Sequence, residues 1–211
     1  MAHKIFRLFL GALLAIAAGS ALASGITPAA QQVAATIDRL DVEQNWPAGV
    51  HVHWESGKPD GKAETGNGKH THCSAFVAAA AKRLGIYILR PPEHPQILLA
   101  NAQYEWLGSQ GAQHGWRPIF DGFAAQAAAN SGMLVVATYR NHHDDKPGHI
   151  AIVRPSEKSR EAIRVEGPQV TQAGGTNYRS TSLRQGFAGH PAAWTHAEVR
   201  YYAHAIGGPA S

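Results

Sequence analysis

At Gly132 the hydrophobic pattern of this chain changes period, and that change limits the folds open to it. Before it, apolar residues recur at helical spacing; after it, they come in short β-rich blocks. Residues 28–42 read as a loosely amphipathic helix. Residues 74–84 (SAFVAAAAKRL) are the clearest helix: Ala-rich, with Lys82 and Arg83 in the last turn and Gly85 as the stop. Arg90-Pro91-Pro92 breaks the chain, and residues 96–107 and 121–130 supply two further helices. Residues 133–139 (MLVVATY) and 149–153 (HIAIV) then read as strands. The polar link from Pro155 leads into 162–166 (AIRVE), which reads as the hairpin partner of 149–153. Residues 198–206 form a final strand, and a short strand fits 50–54 inside the otherwise loop-like stretch 43–72. Helices followed by strands predict an α+β fold, with N-terminal helices packed on an antiparallel sheet.

The first 23 residues have the layout of a secretory signal peptide. Lys4 and Arg7 make a positive start, residues 8–17 are apolar, and Ala21-Leu22-Ala23 is a small-x-small cleavage site. The apolar run is shorter than the roughly 20 residues of a membrane span. No Cys follows the cleavage site to carry a lipid. The expectation is therefore a periplasmic or secreted protein without stable membrane insertion, its residues 24–211 forming a single domain free of internal repeats and linkers. Those roughly 190 residues suffice for one proper core. The formal charge of +4 includes Lys4 and Arg7. With no dense Lys/Arg stripe, the charge gives no support to nucleic acid as a partner, and it is compatible with anionic cell-wall polymers. Oligomeric state leaves no mark in the sequence.

A single cysteine in an exported chain forms no internal disulfide, and a lone thiol outside the cytoplasm is exposed to oxidation. Cys73 can be a buried small apolar residue. Its position argues for more: it stands at the start of the 74–84 helix, behind the polar segment GNGKHTH. A thiol there faces unpaired backbone N–H groups and the positive end of the helix dipole, and both favour thiolate, the nucleophilic form. Such a nucleophile needs a base. His149 opens a strongly apolar strand at a loop-to-strand junction, 76 positions downstream.

The run His72-Cys73-Ser74-Ala75-Phe76-Val77 at a helix start resembles the D-C-S-G-F-V nucleophile motif of NlpC/P60 peptidases, and Gly148-His149-Ile150-Ala151-Ile152-Val153 resembles their histidine strand. CHAP amidases share the order of Cys on a helix start, His opening a strand and a polar residue on the next strand. The resemblance covers two short motifs. It implies a papain-like fold and amide hydrolysis, often in peptidoglycan, with no organic cofactor and no metal. The chain departs from the motif at His72, where Asp is usual, and at Ala75, where Gly is usual. It also carries extra helices between the two motifs. Folding the 149–166 hairpin about residues 158–159 brings Gln169 to His149 as the residue that orients the imidazole, with Glu166 and Gln172 as rivals. Asn67, six positions before Cys73, has the spacing of an oxyanion-hole amide in papain-like enzymes, although Asn-Gly is also a common turn pair. The backbone N–H of Cys73 would be the other donor.

Other readings compete. The chain holds 13 His, clustered at His51/His53, His70/His72 and His142-His143-Asp144-Asp145, and with Cys73 these suit zinc or copper, though no recognised ligand motif is present. The aromatics Trp46, Trp54, Tyr104, Trp106, Trp116 and Trp194 could stack on glycans in a non-catalytic, degenerate cell-wall-binding module, but core or cleft-wall roles are commoner for such residues. An acyltransferase using the same Cys-His pair is a third possibility, since fold resemblance does not settle substrate.

Overall fold

The computed structural model describes residues 25–63 and 70–207. Within them the chain is an α+β protein built on one six-stranded sheet in the order β1-β6-β2-β3-β4-β5, antiparallel throughout. The strands are β1 (Trp116–Ile119), β2 (Leu134–Tyr139), β3 (His149–Val153), β4 (Gln169–Gln172), β5 (Tyr178–Ser182) and β6 (Arg200–His204). Helices α1 (Pro28–Asp38), α2 (Cys73–Arg83) and α3 (Leu99–Ser109) precede most of the sheet. The later helices α4 (Gly122–Asn130), α5 (Arg160–Glu166), α6 (Leu183–Gly186) and α7 (Pro191–Thr195) are threaded among the strands.

Every residue of β2 and β3 is buried, which explains their nearly unbroken apolar runs. Alternation divides β3 between two cores. Ile150 and Ile152 join Phe76, Val77 and the rest of the α2 side, while Ala151 and Val153 join Ala125, Ala129, Leu183 and Phe187 on the opposite side. Helix α2 buries Cys73 and the eight residues that follow it. Its run of alanines lets the helix lie close on β3, and the chain reverses after it at Gly85, where φ is +73°. The other helix starts follow from local chemistry. Thr27, Asp121 and Ser159 each cap a helix by accepting from a backbone N–H three residues on, at 3.1, 2.8 and 3.1 Å.

One expected strand is a helix. Residues 162–166 lie in α5, capped by Ser159, reinforced by the Glu161–Arg164 ion pair at 2.6 Å and ended at Gly167, where φ is +75°. The apolar spacing at Ala162, Ile163 and Val165 fits neither period well, and the cap decides for helix. The true partner of β3 is β4, in the register Ile152↔Thr171 and Val153↔Val170. The expected strand at 50–54 reduces to an isolated bridge, Val52↔Pro59. Strands β1 and β5 were not expected. Both lie at the sheet edges, where exposed polar residues and Pro118 are tolerated and the apolar signal is weak. No helix among the described residues is long and apolar enough to cross a membrane.

Candidate active site

Cys73 is the first residue of α2 and is 3% exposed. Beyond Val153↔Val170 and Ile152↔Thr171 the pairing of β3 with β4 ends, and the backbone N–H of Ile150 acts on the thiol in the direction that lowers its pKa. Ser74 and the backbone N–H of Cys73 itself also face the sulfur. Burial nevertheless raises the Cys73 pKa above its ordinary value, and these donors only oppose the rise. The thiolate expected from the helix N-terminus is therefore corrected: the resting group is a neutral thiol, because desolvation outweighs the dipole at this depth.

His149, the first residue of β3, is 4% exposed. Its side chain belongs to the side opposite α2, where the edge of the ring meets Phe187 at 4.7 Å between centroids and its face lies on His190 at 5.4 Å and 21°. Nε2 forms a short hydrogen bond with Oε1 of Gln172. The Gln172 amide is fixed by its other end, since Nε2 donates to the Thr176 carbonyl at 3.0 Å. An amide oxygen only accepts, so His149 carries its proton on Nε2 and leaves the Nδ1 lone pair to act as a base. Burial first, and His190 second, lower the His149 pKa to about 4 against the opposing pull of Gln172. Thiol and imidazole are both neutral at rest. Among the described residues no hydrogen bond joins them.

The orienting residue expected from the hairpin is corrected by the register. Because α5 occupies seven residues, β4 starts later, and extending its pairing with β3 sets residue 149 opposite 174. Gln172, one of the rivals, thus reaches the imidazole. Gln169 lies at the other end of β4 and donates to Ser180 Oγ at 2.8 Å. Glu166 ends α5 and pairs with Lys158 at 3.0 Å. Neither contacts His149. Asn67 lies outside the described residues.

Two further residues set the His149 imidazole in place. Asn101 on α3 ties down the loop before β3: its Oδ1 accepts from the N–H groups of Gly148 at 2.8 Å and Asn141 at 3.2 Å, and its Nδ2 donates to the Lys146 carbonyl at 2.9 Å. A Cβ at Gly148 would stand 2.1 Å from the Tyr139 carbonyl oxygen and 2.6 Å from Asn101 Oδ1. We expect Gly148→Ala to push the start of β3 away from this anchor. Urea unfolding should show a loss of about 2–3 kcal/mol, with His149 displaced. An unchanged midpoint would show that the loop can yield. An asparagine inside an apolar helix was the only sequence signal for Asn101, and nothing marked His190.

His149, Gln172 and His190 line a cleft of about 500 Å³ whose wall includes Thr71, two residues before Cys73. Thr71 also borders a second cleft, of about 460 Å³, walled by His51, Trp54 and His72. The start of α2 therefore stands between two concave surfaces. The histidines at 51/53 and 70/72 line this second cleft together, with His94 and Asp60; His51 pairs with Asp60 at 2.7 Å, and His142 pairs with Glu198 at 2.8 Å. Among the described residues no group of three or more His, Cys, Asp or Glu side chains is placed to hold a metal. Trp46, Trp106 and Trp116 are core residues, whereas Trp54 packs beneath Lys82 and Arg90. No family model matches the chain, and a search of curated proteins finds no match.

Proposed function

We propose that the protein is an exported thiol hydrolase of the papain-like, NlpC/P60–CHAP kind, cleaving amide bonds in cell-wall peptides. Cys73 is the nucleophile, His149 the base and Gln172 the residue that orients it. The observation that carries this reading is the Gln172–His149 hydrogen bond. It leaves Nδ1 unprotonated on a residue that lines a cleft together with Thr71, two residues before the only thiol of the chain. The order of helix-start Cys, strand-start His and polar residue on the next strand supports the family resemblance, and the N-terminal 23 residues support export.

Because both groups are neutral at rest, proton transfer accompanies attack. Nδ1 of His149 takes the Cys73 proton as Sγ bonds to the substrate carbonyl carbon. The backbone N–H of Cys73 helps hold the developing oxyanion. Collapse expels the amine, protonated by His149, and leaves a thioester. Water, deprotonated by His149, then releases the acid and restores the thiol. A second reading, a cell-wall-binding module that has lost turnover, draws on the burial of Sγ and the lack of a thiol–imidazole hydrogen bond.

Peptidoglycan digests treated with the mature protein test both. Wild type should release free amino and carboxyl groups. Gln172→Ala should lower kcat by roughly 10²-fold with KM little changed, and Gln172→Glu, which keeps an acceptor for Nε2–H, should recover part of it. Gln169→Ala should leave the rate unaltered. Equal rates for the Gln172 and Gln169 variants would remove Gln172 from the mechanism, and no release by wild type would favour the binding module.

A further inference from the structure

Two exposed glycines of the cleft have neither a positive φ nor a neighbour within 4 Å of an added Cβ. Most described glycines have a positive φ, as Gly57 and Gly115 do, or a neighbour that an added Cβ would strike, as Gly148 does. Gly174 and Gly186, also in the cleft, pack on Gln172, with an added Cβ at 3.0 Å from its Nε2 and 3.3 Å from its Oε1. Gly175 and Gly189 meet neither condition: φ lies outside the left-handed region, and nothing stands within 4 Å of an added Cβ. Gly25 shares this property but is not part of the cleft. Glycine weakens a fold through lost backbone entropy. A bare backbone where a side chain would fit therefore points to something outside the fold.

The two glycines belong to different walls, one to the connection between β4 and β5 and the other to that between α6 and α7. Both face the space that reaches His149 and Gln172. None of the described residues lining that space is Asp, Glu, Lys or Arg. The polar groups are neutral ones, such as Thr176, Tyr178 and Gln185. His190 is half-buried, and its ring nitrogens make no hydrogen bond among the described residues. A charged group brought here would find no counter-charge among these lining side chains. Bare walls, in contrast, let a second backbone approach closely enough to hydrogen-bond on either side.

We propose that the cleft selects an uncharged, extended peptide segment whose residue beside the scissile amide is no larger than alanine, and that Gly175 and Gly189 set this limit. The inference rests on the thiol-hydrolase reading for the bond that is cut, but the selectivity is testable by binding alone. The probe is acetyl-pentaalanine amide, titrated by calorimetry into the mature Cys73→Ala protein, with analogues carrying Leu, Lys or Glu at the central position. The analogues should bind about tenfold more weakly than the parent. Gly175→Val and Gly189→Val should each weaken the parent about tenfold with the thermal midpoint unchanged. If a Val variant folds poorly, Ala at the same position should give a smaller loss in the same direction. Equal affinity across the panel, no binding of the parent, or glycine variants that bind as well as their background would overturn the proposal. The selectivity pattern without turnover in wild type would sink the hydrolase reading and leave the cleft assignment standing. Turnover without size discrimination would do the reverse.

Discussion

Cys73→Ala should abolish hydrolysis, lowering kcat/KM by about 10⁴-fold or more, while the protein stays folded. The thiol is the only one in the chain, and the hydroxyls that share the cleft with His149, those of Thr71, Thr176 and Tyr178, are weaker nucleophiles. The structural cost is small. Removing one buried sulfur leaves a void smaller than a methylene or two, worth about 1 kcal/mol, and alanine is the better helix former at the head of α2. Parallel measurements of amine release and of the thermal midpoint by circular dichroism separate the two effects. Full loss of activity with a nearly unchanged midpoint identifies the nucleophile. Retained activity would exclude the thiol route and return attention to water activated by His149 or to a contaminating hydrolase, which Cys73→Ser would not distinguish but His149→Gln would.

Acidification should destabilise the protein by about 3 kcal/mol through His149 alone. In the unfolded chain this imidazole titrates near its ordinary 6.5, whereas in the folded protein its pKa falls to about 4. Between those values the unfolded state binds the extra proton, so stability is greatest above pH 6.5 and declines as pH falls toward 4. Protonation of His149 below that no longer distinguishes the two states. The loss is large beside the 5–15 kcal/mol that holds a typical domain. Carboxylates such as Asp38, whose pKa is lowered by hydrogen bonds from Arg179 and Arg154 despite the opposing effect of burial, also withdraw stability in acid. The comparison must therefore be with His149→Gln, which lacks only the imidazole titration. Urea unfolding at pH 7 and pH 4.5 should show wild type losing more than the variant. Equal losses would mean that His149 does not bear the proton difference.

The placement of the two candidate residues was legible because it is local. A thiol at a helix start and a histidine at the head of an apolar strand are properties of short segments, and α2 and β3 formed where the residues called for them. The third residue was misread because it depends on a register. The seven-residue helix α5 took in all of the expected strand 162–166, and this moved the contact from Gln169 to Gln172. The resting charge of the thiol was misread for a related reason. A helix N-terminus can be seen in sequence, but the depth of burial that outweighs it cannot.

The sequence by itself determined the α+β class, the helices α1 to α4, the central strands β2 and β3, and where Cys73 and His149 fall on them. Capping, spacing and apolar runs act over a few residues and need no distant partner. Only the tertiary structure decided that the pairing of β3 with β4 ends before Ile150, that Gln172 holds His149 and that burial favours the neutral thiol and the neutral imidazole. Each of these depends on which distant segments exclude water from one another, a quantity that no short stretch of the chain contains.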